Sequence, residues 1–380
     1  MVKELKSDSR DINVIDTLRL FRSENVGIKT FYDLIKIYHN STQAINAIPE
    51  LLSRNNIKKF PKIFSVEEAH QELSKVEQYG GQIISIFDDN YPKFLKHIYD
   101  PPPVITIYGD IKYLKQRCFS MVGSRNSSAN GCRIAYKLAK ELGERGFSIV
   151  SGLARGIDTA VHRGAIKTGT IAVIAGGIDN IYPPENTLLY QEISQNGLII
   201  SELAFGTPPR SQNFPQRNRI ISGISEGTLV VEASLKSGSL ITAKYALEQN
   251  REVFAIPGFP LEPRCHGTNQ LIKEGATLVA SINDILDILS ENSLERVKSE
   301  HNDPNDNMTI KNDIVNEEVS DIRKLLVEKL NYNPISIDDI VSVTECSYST
   351  IMMAIIELEL AGKLLRHPGN KISLLFEDVR

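Results

Sequence analysis

Arg210, Arg217 and Arg219 flank Phe214 in the stretch LAFGTPPRSQNFPQRNRII (203–221), which contains no Asp or Glu. Guanidinium groups grip phosphates with a planar fork, and an aromatic face accepts a base. The chemistry this pattern offers is a polyanion site that prefers nucleic acid with exposed bases. Two apolar runs bracket the stretch, LIIS (198–201) and TLVVE (228–232), both of which read as strands of a parallel sheet. Loops at the ends of such strands are where open α/β sheets bind ligands.

Other loops supply compatible groups. VGSRNSSANG (122–131) offers the Ser124 hydroxyl and Arg125 just before an expected helix start, a position that favours anions. Its spacing is not G-x-G-x-x-G, and no acid closes the next strand to hold a ribose, so a dinucleotide cofactor is not expected. SGLARGIDTAVH (151–162) offers Ser151, Gly152 and Arg155. In the same run Asp158 and His162 lie four apart, either an acid–base pair or a helix-start carboxylate bonding a neighbouring His. AGGIDNIYPPEN (175–186) is either a ligand turn or a plain strand-to-helix connection. VEASLKSGSLITAK (231–244) places Ser237, Gly238 and Ser239 like a phosphate cradle, with Glu232 as a general base or as the partner of an Arg. No G-x-x-x-x-G-K-[ST] string accompanies it. Parallel strands share a direction, so Arg125, Ser151, Arg217, Arg219 and Ser237 are expected to converge at one sheet edge.

The elements that must position these loops follow a βα rhythm from Cys118 to about Asn292. Expected strands are 119–123, 148–151, 171–175, 198–201, 228–232, 252–256 and 277–280, spaced as βαβ crossovers require. They are apolar on both faces, so helices should cover both sides. The fold class expected is α/β, a Rossmann-like, doubly wound, mostly parallel sheet. Residues 1–85 read as a small helical domain of helix-hairpin-helix or SAM type, with Asn25-Val-Gly-Ile as a turn whose amides could meet a DNA backbone or merely serve packing. The sheet domain is expected over 86–292, a flexible polar linker over 293–320 and a winged helix over 321–380. The third helix of that winged helix, YSTIMMAIIELEL, carries Glu357 and Glu359 and no Lys or Arg. It suits packing or protein contact better than a DNA groove.

Composition narrows the function classes. The 380 residues carry a formal net charge of −4, which excludes a wholly basic nucleic-acid coat and requires a local patch. Residues 111–140 supply one, with Lys112, Lys115, Arg117, Arg125, Arg133, Lys137 and Lys140 and no carboxylate. Much of it reads equally as a solvated face. Four scattered cysteines show no metal-ligand spacing and suit a reducing cytosol. The polar start MVKELKSDSRD lacks an apolar signal core, and no run of about 18 apolar residues suggests a membrane span. A cytoplasmic location is expected, with no metal and no cofactor.

VGSR, SGLARGID, a Gly-rich turn with YP, SE, FPQRNRIISG, VVEA, SGSLITA and AIPG occur in this order. The ordered set resembles the DprA/Smf family of DNA-processing proteins, closely over 110–290 and loosely over the flanks. The resemblance implies single-stranded DNA binding in a basic pocket, a homodimer, loading of the RecA recombinase in natural transformation, and no catalysis. By residue, the G-S-R arginine is Arg125. F-P-x-R-N-R supplies Phe214, Arg217 and Arg219, with Asn218 between the arginines. The basic residue that often precedes that Phe is replaced by Ser211, with Arg210 adjacent. A second reading is a nucleotide phosphoribohydrolase-like enzyme, echoed by Glu232 with Ser237-Gly238-Ser239. The P-G-G-x-G-T-x-x-E string of such enzymes is absent.

Overall fold

A computed structural model of the chain describes residues 14–53, 61–299 and most of 322–375. The chain forms two compact units, one within Gln71–Asp303 and one combining Asp8–His70 with Pro304–Arg380.

Helices α1 (Val14–Arg22), α2 (Ile28–Tyr38) and α3 (Ser41–Ser53) bury Leu18, Leu20, Phe31, Leu34, Ile35, Ile48 and Leu52 among themselves. Helix α4 (Val66–Gln78) crosses the boundary at Gln71 and leads into the Gln71–Asp303 unit. The expected helical domain ended at residue 85, yet Gly81–Ser85 is strand β1. It pairs antiparallel with β2 (Val104–Gly109), after the short helix α5 (Lys93–Lys96).

The βα repeat then proceeds as β3 (Arg117–Val122), α6 (Ala129–Glu144), β4 (Phe147–Ser151), α7 (Ile157–Ala165), β5 (Thr170–Val173), α8 (Thr187–Asn196) and β6 (Leu198–Ser201). It continues as α9 (Asn213–Ile224), β7 (Gly227–Val230), α10 (Ser239–Glu248), β8 (Glu252–Ala255), α11 (His266–Lys273), β9 (Thr277–Leu278) and α12 (Ile282–Ser299). Strand order is β1-β2-β6-β5-β4-β3-β7-β8-β9. From β6 to β9 all neighbours are parallel, and β2 joins β6 antiparallel. The order reverses at β3, with β4 on one side and β7 on the other. Helices α6, α7 and α12 cover a core of Phe119, Met121, Leu138, Leu142, Phe147, Ile149 and Val161, while α9 and α10 pack together as a second layer. Helix α12 runs past the expected boundary at 292, and the rest of the expected linker, 300–320, lies outside the described residues.

The C-terminal part contains β10 (Ile335–Ser336), α13 (Ile337–Thr344), α14 (Tyr348–Leu360), β11 (Leu364–His367) and β12 (Lys371–Leu374). Its three strands pair in the order β10-β12-β11, a winged helix around Leu326, Ile337, Ile351, Ile355 and Ile372. The described part of the helix expected over 321–330 supplies Ile322, Leu326 and Leu330 to that core. Among the described residues, no helix is long and apolar enough to cross a membrane, and no His, Cys, Asp or Glu cluster could hold a metal.

Candidate nucleic-acid interface

Two loops at the carboxyl ends of β3 and β4 are locked to each other. Gly156 (φ +75°) has open space only because it lacks a Cβ, which would sit 2.4 Å from the Ser124 carbonyl. That carbonyl accepts from the Ile157 amide at 3.2 Å. Ser124 Oγ accepts from the Asn126 amide at 3.1 Å, so this hydroxyl shapes its own turn. The β4 loop is satisfied from helix α7. Asp158 Oδ2 accepts from the amides of Gly152 (3.1 Å) and Ala154 (3.3 Å). The Leu153 amide donates to His162 Nε2 at 3.3 Å, and Asn186 Nδ2 donates to the Leu153 carbonyl at 2.9 Å.

Asp158 and His162 therefore each serve the loop backbone, and they form no acid–base pair. Because Nε2 accepts, Nδ1 carries the proton and donates to Thr170 Oγ1 at 2.7 Å; Thr170 in turn donates to the Ile149 carbonyl. Burial, with the Arg217 charge nearby, pushes the imidazole pKa down to about 3, so His162 is neutral at physiological pH.

These loops frame a cleft of about 330 Å³ lined by Arg125, Asn126, Gly152, Ala154, Arg155, Tyr182, Pro183 and Phe214. The Arg125 guanidinium lies 5.0 Å from the Phe214 ring centre, and Tyr182 meets the same ring at 5.5 Å with a 58° tilt. Phe214 is half-buried on the first turn of α9 and Arg125 is exposed. Arg155 is exposed and bridges to Glu185 at 2.6 Å. An exposed pair of this kind is worth only about 0–1 kcal/mol, so Arg155 is readily redirected to another anion. Tyr182, Asn126 and Pro183 were not among the residues singled out from sequence. The Tyr-Pro step after the Gly-rich turn was the available signal for two of them.

Two expected phosphate ligands are placed elsewhere. Arg217 is 6% exposed, and its Nη1 donates to the carbonyls of Gly152 (2.6 Å) and Val173. A Cβ on Gly152 would lie 2.6 Å from that nitrogen, so this glycine admits the guanidinium. Burial lowers the Arg217 pKa to about 10, Asp158 opposing the shift, and the group stays charged at neutral pH. Arg219 is 4% exposed and is held by Glu202 at 2.6 and 2.7 Å and by Asp100 at 3.2 Å. Both arginines are buried and brace the fold, Arg217 from behind the cleft through Gly152 and Arg219 through Glu202 and Asp100. Ser151 is likewise internal, its Oγ donating to the Met121 carbonyl at 2.7 Å. Arg210 is exposed on the β6–α9 loop but does not line the cleft.

Ser237, Gly238 and Ser239 start α10 at the end of β7, also outside the cleft lining. Ser237 and Ser239 share a hydroxyl contact at 2.7 Å, and Asn218 Nδ2 ties α9 to the Gly238 carbonyl at 3.3 Å. Between β3 and β7, where strand order reverses, open α/β sheets hold phosphates at a helix start. Here Glu232 fills that crevice. Its carboxylate accepts from the Ser128 amide at 2.9 Å and the Ser128 hydroxyl at 2.5 Å, at the start of α6. The protein's own anion occupies the helix N-terminus. Glu232 therefore neither orients an Arg nor stands free as a base, and the open cleft lies instead toward β4 and β5.

Comparison with known proteins matches the chain domain by domain. The family model for DNA recombination-mediator protein A matches residues 82–290. Those for a DprA-like N-terminal HHH domain and a DprA winged helix domain match 11–74 and 315–370. DNA processing protein DprA of Bacillus subtilis is 41% identical over 262 residues, covering 67% of this chain and 88% of that protein. The X-ray structure of DNA processing protein A from Streptococcus pneumoniae superposes with a TM-score of 0.61 at 35% identity, covering 73% of this chain and 96% of that one. The structure of DNA processing protein A from Helicobacter pylori, solved for its single-stranded DNA binding mode, superposes with a TM-score of 0.52 at 31% identity over 56% of this chain and 96% of that one. With its sheet domain, both flanking domains and most of a relative's length matched, the chain belongs to the DNA recombination-mediator protein A family, the DprA/Smf proteins.

Proposed function

We propose that this protein is a recombination mediator that binds single-stranded DNA in the cleft between the β3, β4 and β5 loops and α9. The observation that carries the reading is the Arg125–Phe214–Tyr182 stack in an open cleft beside the exposed Arg155. The Helicobacter pylori relative's single-strand binding supports it. An exposed cation–π contact is worth about 0.5–1 kcal/mol, whereas a base stacked on an aromatic ring is worth about 1–3 kcal/mol. A base therefore displaces Arg125 from Phe214, and the freed guanidinium turns to the adjoining phosphate. Paired bases cannot enter the cleft, which gives preference for single strands. Family membership supports the further steps: loading of a RecA recombinase on the bound strand during natural transformation, action as a homodimer, and a cytoplasmic place of work. The enzymatic alternative finds little support, because Glu232 caps α6 and His162 is buried and neutral.

The test is fluorescence anisotropy with an oligo(dT) strand and a matched duplex at one salt concentration. Wild type is expected to favour the strand, and Phe214→Ala to bind it about 5- to 150-fold more weakly. Equal affinity for strand and duplex, or a Phe214→Ala titration that superimposes on wild type, would overturn the reading.

A further inference from the structure

Two elements that meet DNA in other proteins are left unused by the cleft: the hairpin turn between α1 and α2, and the winged helix. Turn amides contact phosphates, and a winged helix presents its third helix and wing to a groove. Within their common unit these elements face each other. One side of α14, with Ile351, Ala354, Ile355 and Leu358, fills the winged-helix core. Ile356 and Leu360 lie outside that core and are buried too, where α14 packs against α2 and α3.

Polar contacts close the same seam. Arg366 on the wing strand β11 donates to Asp33 of α2 at 2.9 Å and to Glu359 of α14 at 2.8 Å, with its side chain only 10% exposed. Lys29 donates to Asn370 in the wing turn at 2.6 Å, and Asn25 in the hairpin turn donates to the Leu360 carbonyl at 3.0 Å. Burial raises the pKa of Asp33 against the pull of Arg366, and lowers that of Lys29, as expected of charges withdrawn from water. The acidic residues of α14 also find their use. Glu357 pairs with Arg323 at 2.9 Å, and Glu359 belongs to the seam.

We propose that the winged helix is a docking module whose partner is the N-terminal helical domain of the same chain, and that docking withholds the outer side of α14 and the Arg366 guanidinium from DNA. A duplex groove and α2–α3 compete for the same side of α14. The Arg366 guanidinium, a natural phosphate ligand, is spent on Asp33 and Glu359.

Hydrogen–deuterium exchange on the full-length protein tests the docking with Asp33→Ala and Arg366→Ala, one variant on each side. Each is expected to speed exchange at least fivefold in both 28–38 and 348–360, independently of protein concentration. Acceleration confined to the substituted domain would mean local loosening and would overturn the docking role. Protection that falls on dilution of wild type would reassign the partner to a second copy. The masking is read by duplex binding. Asp33→Ala, which removes the α2 carboxylate that holds Arg366 and leaves only Glu359 of its own domain, is expected to bind duplex at least fivefold more tightly than wild type, and adding Arg366→Ala to reverse the gain. Unchanged duplex affinity in an Asp33→Ala protein whose exchange shows an open seam would overturn it. None of these readouts uses Phe214, so failure here leaves the single-strand site untouched.

Discussion

Arg125 and Arg217 carry the same guanidinium and do opposite jobs. Arg125 is exposed and rests on a ring. Arg217 holds two carbonyls from adjacent strand ends, with Asp158 as its nearest compensating charge. Removing Arg217 strands those carbonyls, at about 1–3 kcal/mol for each buried group left unpaired. It also removes the nearby positive charge that opposes the raised pKa of the buried Asp158, although the two groups form no contact ion pair. Arg217→Ala is therefore expected to lower the unfolding free energy by about 3–5 kcal/mol in a urea titration, and Arg125→Ala by less than about 0.5 kcal/mol. Equal stability losses would refute this division of labour. The difference was partly legible in the sequence. Asn213, Arg217, Ile220, Ile221 and Ile224 share one helical stripe, so Arg217 stands on the buried face of α9. Phe214 and Asn218 fall on the next stripe and are half-buried. Arg219 gave no such sign, because its carboxylate partners, Asp100 and Glu202, come from distant loops.

Glu232 decides how one helix begins and where the ligand site can lie. Ser128 caps α6 by accepting from the Gly131 amide at 2.9 Å, and Glu232 takes both the Ser128 amide and its hydroxyl. Loss of a cap costs about 0.5–2 kcal/mol. Glu232→Ala is expected to destabilise the sheet unit by that amount, measured by chemical denaturation, and to leave single-strand affinity within about twofold. A variant of wild-type stability would show that the carboxylate is not part of the cap. The seven parallel strands were readable because each is a short apolar run followed by a glycine or serine turn. Strands β1 and β2 were harder to place. GQIIS follows a polar helix with no turn signal of its own beyond the glycines, and its pairing with β2 depends on tertiary register that spacing does not encode. The crevice filled by Glu232 was likewise hidden. Nothing in VEAS shows that its carboxylate reaches a serine about a hundred residues earlier.

At the scale of the whole molecule, a chain with net charge −4 must bind DNA through few contacts. Of the cations in the basic stretch 111–140, only Arg125 lines the cleft. Lys112 is paired with Asp110, Arg117 with Glu226, Lys137 with Glu141 and Lys140 with Glu144, at 2.7, 2.7, 3.7 and 3.7 Å. Two further arginines that looked available, Arg217 and Arg219, are internal. The cations that line the cleft are Arg125 and Arg155, of which Arg155 must first leave Glu185, and Arg210 is exposed outside the lining, four residues before Phe214. Each phosphate neutralised on a single strand contributes about −0.7 to the slope of log K against log salt. Three such contacts give a slope of about −2, far shallower than an extended basic surface would produce. Titrating a single strand of cleft length across a salt series measures this number. Arg125→Ala is expected to flatten the slope to about −1.4. A wild-type slope near −5 would mean that cations away from the cleft carry the strand. A slope that Arg125→Ala leaves unchanged would mean that this guanidinium stays on Phe214 and never reaches a phosphate.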